Sequence, residues 1–410
     1  MQVIPVARPL FGPEEEAAVL DVLRSGQLAQ GERVAAFERR FAELCQVKEA
    51  IAVSSGTAAL HLALIAHDIG YGDEVITTPF SFAATANVIL LVGATPVFVD
   101  IDPETFNLDP KQVEAAITPR TRAILPVHLY GNPCDMARLA EIAERYFLVL
   151  IEDACQAHAA SIEGKPVGSF GTGCFSFYPT KNMTTGEGGM VTTNDTHIAE
   201  RVRLLRNHGQ QSRYHHIALG FNLRMTDLQA AIGLVQLDRL EKFTADRISN
   251  AAYLSEKLAG AVRTPVVKPG YRHVFHQYTI RVPEGCDRDA WANQLRERGI
   301  GTGIHYPQTI YSQPYYQASP ELYRLAIPPR YARQDAMNRV PTGGMAGMQL
   351  VEQDGLQWSV GTRFIASPAI PSYLPEAEKA ACQVLSLPVH PALSREDLDT
   401  IVEEVLALCR

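Results

Sequence analysis

Several features are scarce or missing in this chain of 410 residues, and each absence narrows the reading. Its seven cysteines, Cys45, Cys134, Cys155, Cys174, Cys286, Cys382 and Cys409, are an odd number, widely scattered and without a CxxC pair. That pattern argues against a disulfide framework and fits free thiols in a reducing cytosol. Nowhere do eighteen apolar residues follow one another, so no membrane-spanning helix is expected. The stretch from Met1 to Pro13 reaches Glu14-Glu15-Glu16 without an apolar core of signal-peptide length. No basic run interrupts a formal net charge of −8, which excludes the footprint of a nucleic-acid binder. No internal repeat recurs at solenoid periods. Together these absences predict a cytoplasmic, untethered protein with no metal, nucleic-acid or membrane partner.

What the chain does have is the composition of an ordinary globular protein, with 46% hydrophobic and 20% charged residues. Its length exceeds what one hydrophobic core usually supports, so one large and one small domain are expected. From about residue 33 to 240, amphipathic stretches alternate with short runs rich in Val and Ile, the rhythm of α/β architecture. Ala50 to Val53, Glu74 to Thr77, Thr95 to Val99, Ala123 to Val127, Leu148 to Glu152, Gly173 to Phe177 and Gly189 to Thr192 read as strands of one mostly parallel sheet. Thr57 to Ala66 and Asp227 to Leu240 have helical spacing. Beyond about residue 250 the pattern changes. His276 to Val282, Trp291 to Arg298 and Arg395 to Leu408 read as the strand and helices of a smaller α+β domain. This places a large domain over 1–250 and a small one over 251–410. Ala318 to Pro375, rich in Pro, Gly, Met and Gln, reads as a long loop.

Three segments carry chemistry. In Ser54-Ser55-Gly56-Thr57-Ala58-Ala59-Leu60, small hydroxyl and glycine residues precede a helix. Free N–H groups and the positive end of the helix dipole favour a phosphate there, although a plain N-capped helix explains the same residues. Leu148 to Asp153 is an apolar strand ending on a carboxylate, followed by Ala154-Cys155-Gln156-Ala157-His158. Ligands gather at the carboxyl ends of parallel strands. A pyridine nitrogen held protonated by such an anion makes its ring an electron sink, while the simpler alternative is an Asp that caps the next turn. The third is Lys181, in Phe175-Ser176-Phe177-Tyr178-Pro179-Thr180-Lys181-Asn182, between an apolar strand and the Gly186 to Gly189 turn. A lysine nucleophile must lose its proton, and partial burial supplies the means. A fourth stretch, Pro79-Phe80-Ser81-Phe82-Ala83-Ala84-Thr85, follows a strand and offers an aromatic to stack on a flat ring, with Ala154 as a surface for the opposite face; Phe80 itself reads as core.

In order and content, SSGTAAL, TPFSFAATAN, VHLYGNPCDM, EDACQAHAA, FSFYPTKNMTTGEGGM, GFNLRMTDLQAA and LSLPVHPALS resemble the DegT and StrS group of pyridoxal-phosphate-dependent sugar aminotransferases. The resemblance covers about residues 5 to 316 and 377 to 410. It implies the pyridoxal-phosphate transferase fold of type I, with a seven-stranded sheet in the large domain, and a homodimer whose active sites lie at the subunit interface. Lys181 resembles the lysine that carries pyridoxal 5'-phosphate as a Schiff base, with pyridoxamine 5'-phosphate as the intermediate form. Asp153 resembles the carboxylate on the pyridine nitrogen, and Gln156 the partner of the cofactor's phenolic oxygen. Gly56, Thr57 and Ser176, with Ser55 beside them, match the phosphate-binding positions, and Phe82 the ring-stacking one. Asn222 matches the asparagine that the partner subunit extends to the phosphate.

The implied activity moves an amino group from L-glutamate to a nucleotide-linked keto-hexose. The form Thr184 to Gly189, with Glu187, leans towards 4-keto rather than 3-keto acceptors. Lysine at 181, where a dehydrating subgroup has histidine, favours amino transfer, and the cysteines are not clustered as an iron–sulfur dehydratase needs. His128 at a strand end, and His305 and Tyr306 in a motif near the family's substrate cleft, are candidate substrate residues; His158, His208, His215 and His216 read as packing or surface. The resemblance leaves two alternatives open: a glutamine-dependent aminotransferase of cyclitols, and a regulatory protein that keeps the fold and cofactor. The segment 318–375 is longer than the family's usual link and reads as an insertion.

Overall fold

The computed structural model describes residues 3–326 and 374–409. Its central sheet contains, in chain order, β1 (Glu49–Val53), β2 (Glu74–Thr77), β3 (Thr95–Phe98), β4 (Thr121–Leu125), β5 (Val149–Asp153), β6 (Thr172–Ser176), β7 (Gly189–Thr193) and β8 (Arg324–Leu325). Their spatial order is β1-β7-β6-β5-β4-β2-β3-β8. β7 runs antiparallel to both β1 and β6, and every other neighbouring pair is parallel. Because β7 reverses twice, β1 points the same way as β6, β5, β4 and β2. Their carboxyl ends therefore share one edge, where a parallel sheet presents ligands.

The strands are apolar on both faces because both faces are covered. Ile51, Val53, Ala123, Leu125 and Val191 pack against Leu62, Ala63 and Ala66 of the helix Gly56–Ala66 and against Ile198, Val202 and Leu205. On the other face Phe37 and Phe41, from the helix Glu32–Cys45, meet Phe175 and Phe177 edge-on or tilted at centroid separations of 5.0–5.5 Å. That helix starts at Gly31, which has no side chain to cap it. Asp227 supplies the cap from elsewhere, its carboxylate accepting from Gly31 N at 2.8 Å and Val34 N at 3.0 Å.

The 32-residue helix Asp227–Leu258 runs through two cores. Ala230 and Leu240 belong with the phenylalanines, whereas Ala251, Leu254 and Leu258 lie among Tyr278, Ile280, Trp291, Leu295, Leu385, Ile401 and Val405. The second core is built on the antiparallel pair Tyr278–Arg281 and Val384–Leu387, with helices Arg288–Glu297 and Arg395–Leu408. Ile4 also belongs to it, paired with Gly299 and Gly301, so the chain's first described residues join a core otherwise made from 251 onward.

The long-loop reading of Ala318 to Pro375 needs correction at its start. Pro320–Leu322 form a 3-10 turn, and β8 adds to the sheet beside β3, with Arg324 opposite Val97 and Leu325 opposite Phe98. Two residues are too few to show a strand's alternation. What holds them is Arg324, whose guanidinium reaches Glu74 Oε2 at 3.1 Å and Ala116 O at 2.6 Å. At its other end Pro375 opens the helix Pro375–Gln383, and 327–373 lies outside the described residues. Among those described, no helix is long and apolar enough to cross a membrane, and no group of three metal-ligating side chains forms.

Candidate active site

Three candidate segments meet at the shared edge. β5 ends on Asp153, β6 ends on Ser176 before the turn to Lys181, and β1 leads through Ser54-Ser55 into the helix Gly56–Ala66. β2 brings a fourth, the turn before the helix Ala84–Leu91. Ser55 caps its helix, its hydroxyl oxygen accepting from Ala58 N at 3.1 Å, and its own O–H stays free to donate. The capped helix and the anion cradle are thus the same structure. A Cβ placed on Gly56 would lie 2.7 Å from Ser176 Cβ and 2.9 Å from Cys155 Sγ. Glycine is what lets the helix start approach the Ser176 hydroxyl closely. Thr57, in the first turn, is exposed.

Asp153 is 5% exposed. Its Oδ2 accepts from Thr85 Oγ1 at 2.8 Å and its Oδ1 from Cys155 N at 3.2 Å, and Ser81 stands 3.0 Å behind Thr85. Two donors hold the carboxylate in one orientation. Lys181 is partly buried, and that burial pulls its ammonium below the ordinary lysine range, against the opposing attraction of Cys155 and Asp153. A readily neutralised amine beside a fixed carboxylate can accept and return a proton. Gln156 is held at both ends of its amide: Oε1 accepts from Tyr130 N at 2.7 Å, and Nε2 donates to Tyr306 Oη at 3.1 Å. Tyr306 therefore stands at the site, near Phe82, with ring centroids 6.3 Å apart. His305 is set back, its Nδ1 3.0 Å from Ser386 Oγ and its carbonyl accepting from the Tyr130 hydroxyl. Phe82 is 61% exposed and free to stack, whereas Phe80 is buried with Ile101 and Phe106. Asn222 is exposed, next to Leu223, whose carbonyl accepts from Ser54 N; its own side chain makes no hydrogen bond among the described residues.

The expectation for His128 is overturned. It is fully buried, Cys134 N donates to its Nδ1 at 3.0 Å, and the proton left on Nε2 points at Glu152 Oε2, 3.1 Å away. Glu152 also accepts from Gly168 N, Phe170 N and Gly171 N, at 2.8, 2.8 and 2.9 Å. The pair organises the turn that returns the chain to β6. Glu152→Gln would set an amide N–H2 against these donors, and the expected result is about 1–3 kcal/mol of lost stability, read as a lower Tm with the spectrum of bound cofactor unchanged.

Sequence reasoning missed Thr85, which orients Asp153, and Tyr130, whose backbone orients Gln156 from a left-handed conformation at φ 60°. Thr85 stands three residues after Phe82, inside a stretch already singled out. Tyr130 lies in the quoted VHLYGNPCDM stretch, but nothing local there signals its left-handed backbone or its bond to Gln156.

No metal-type donor set is present among the described residues, and the donors that are present suit one kind of group. Free N–H groups and a serine hydroxyl fit a phosphate, a fixed carboxylate fits a ring nitrogen, and a lowered-pKa amine fits a carbonyl carbon. The fold is that of the pyridoxal-phosphate-dependent α/β aminotransferases. The chain belongs to the DegT/DnrJ/EryC1/StrS aminotransferase family, whose model matches residues 9–334. It is 41% identical over 404 residues to a pleiotropic regulatory protein of Geobacillus stearothermophilus, covering 97% of this chain and 95% of that one. It is 42% identical over 375 residues to a GDP-perosamine synthase of Caulobacter vibrioides, covering 89% and 97%. Among solved structures, DesV of S. venezuelae superposes with a TM-score of 0.83 at 35% identity, covering 99% of each chain.

Proposed function

We propose that this aminotransferase moves an amino group from L-glutamate to a nucleotide-linked keto-hexose, with a 4-keto acceptor favoured over a 3-keto one. The observation that carries the reading is the partly buried Lys181 amine beside the doubly held carboxylate of Asp153. Pyridoxal phosphate, when bound, supplies an electron sink for charge developing at the donor's α-carbon. Gly56 N, Thr57 N and the hydroxyls of Ser55 and Ser176 would hold its phosphate, and Asp153 would keep its ring nitrogen protonated. Gln156 would bond the phenolic oxygen and Phe82 would cover one face. Lys181 Nζ, whose charged form burial disfavours, would take the proton from the donor's α-carbon and hold it for return. Tyr306, bonded to Gln156, would meet the acceptor's hydroxyl groups. Asn222, exposed and with no side-chain hydrogen bond among the described residues, would serve the neighbouring site of a homodimer. We read the polypeptide as a cofactor-binding domain up to about residue 250 and a smaller domain after it.

The names of relatives support a sugar acceptor: one is a GDP-perosamine synthase, and DesI, with a TM-score of 0.81, was solved with its TDP-sugar product. The Glu187 form of the turn after Lys181 supports the 4-keto preference. The relative named as a pleiotropic regulatory protein favours a second reading, in which the site binds cofactor and senses a ligand without turnover. A panel of nucleotide-linked 4-keto and 3-keto hexoses with L-glutamate separates the two. Amino-sugar product from a 4-keto member is expected; bound cofactor with no product from any member favours the sensor.

A further inference from the structure

Arg247 lies on the helix Asp227–Leu258, four residues before Ala251 of the second core, and is only 5% exposed. No carboxylate among the described residues pairs with it. Its Nη1 donates to two backbone carbonyls, Phe275 O at 3.1 Å and His276 O at 3.4 Å, and its Nε has no partner among the described residues. A buried guanidinium answered only by carbonyls is costly, and an aliphatic side chain would suit the neighbouring core better. Whatever keeps the charge here needs those two bonds.

They hold a strap, residues 273–277, whose other side lies on the active site. Val274 N donates to Gly131 O at 3.0 Å, and Gln277 N to Tyr130 O at 3.3 Å. Asn182, next to Lys181, donates its Nδ2 to Val274 O at 2.9 Å. The fit is tight: a Cβ on Gly131, which has φ +90°, would lie 2.8 Å from Val274 Cγ2, 3.0 Å from Gln156 O and 3.1 Å from His276 N. The strap is also stiff. The His273 ring stacks on Phe275 at 3.9 Å and its Nδ1 accepts from Phe275 N. The strap thus bonds the residue after Lys181 and Tyr130, which orients the Gln156 amide, and packs on Gly131, which lies close to Gln156 O.

We propose that Arg247 is a positioning residue for the reaction, fixing the 273–277 strap so that Lys181 and Gln156 keep their places. The inference rests on the aminotransferase reading. Displacement of a reacting group by about 1 Å typically lowers rate about a hundredfold. In Arg247→Gln, the glutamate half-reaction at saturating donor therefore slows about ten- to a hundredfold, with half-saturation changed less than about threefold, and the pH midpoint of the visible band of lysine-bound cofactor moves. Asn250→Ala is the control. Asn250 lies one turn further on the same helix and bonds Val389 O and His390 O instead of the strap. It lowers Tm but leaves rate and midpoint at their wild-type values. Arg247→Lys, which keeps the charge but cannot span both carbonyls so well, gives an intermediate rate. Arg247→Gln combined with Asn182→Ala loses no more than the worse single variant, because both act through one strap.

Wild-type rate and midpoint in Arg247→Gln, an equal kinetic loss in Asn250→Ala, or additive losses in the double variant overturn the proposal. Should Arg247→Gln not fold, wild-type kinetics in Arg247→Lys overturn it. A wild-type protein without the visible band sinks the cofactor reading instead, and so the two failures are told apart.

Discussion

Lys181→Ala is expected to abolish covalent capture of the cofactor and to slow amino transfer from L-glutamate by at least about a thousandfold, the range a positioned acid–base group supplies. After incubation with pyridoxal phosphate and borohydride, wild type should gain one cofactor mass on the peptide containing Lys181. The variant should gain none. Folding should survive, because Lys181 is only partly buried and its backbone N, which donates to Tyr178 O at 2.9 Å, is untouched by the change. The physical cause lies in burial: desolvation disfavours the ammonium more than Asp153 and Cys155 favour it, so the amine gives up its proton at a lower pH than an exposed lysine does. A variant that kept wild-type turnover would remove Lys181 from the mechanism.

Asp153→Asn is the second large effect expected. The substitution preserves shape, and both hydrogen bonds have acceptable replacements: the amide oxygen can take Cys155 N, and the Thr85 hydroxyl can turn to accept from the new N–H2. Only the charge is lost. Without it the ring nitrogen is no longer held protonated, and the rate of the glutamate half-reaction should fall about a hundred- to a thousandfold, as when one preorganised electrostatic partner is deleted. Cofactor should still bind and Tm should change little. Stopped-flow absorbance on the loaded variant checks this, and an unchanged rate would reduce Asp153 to the turn-capping residue that its position also allows.

The parts of this site legible in the sequence are those whose neighbours are local. Asp153 follows an apolar strand, Gly56 opens a helix, and Lys181 sits between a strand and a glycine turn. Each pattern announces its element, and the parallel sheet then collects their ends. The longer sheet strands were legible for the same reason, since runs such as Leu148 to Ile151 are apolar throughout. What was not legible depends on partners far along the chain. His128 looked available at a strand end, but its environment is set by Glu152 and Cys134. β8 is two residues held by Glu74, 250 positions away. Arg247 stands out in no local pattern, and only the fold shows that it points inward at Phe275 and His276. The domain reading from 251 onward missed Ile4, because a single apolar residue near a terminus carries no period.

The central claim is that Lys181 and Asp153 form a working aminotransferase centre on pyridoxal phosphate. The most direct test is the visible absorption spectrum of the wild-type protein loaded with pyridoxal phosphate, recorded before and after adding L-glutamate without any acceptor. The account predicts a visible band of lysine-bound cofactor that is replaced, at a stoichiometry of one 2-oxoglutarate released per site, by the shorter-wavelength absorption of pyridoxamine phosphate. A protein that develops no such band contradicts it.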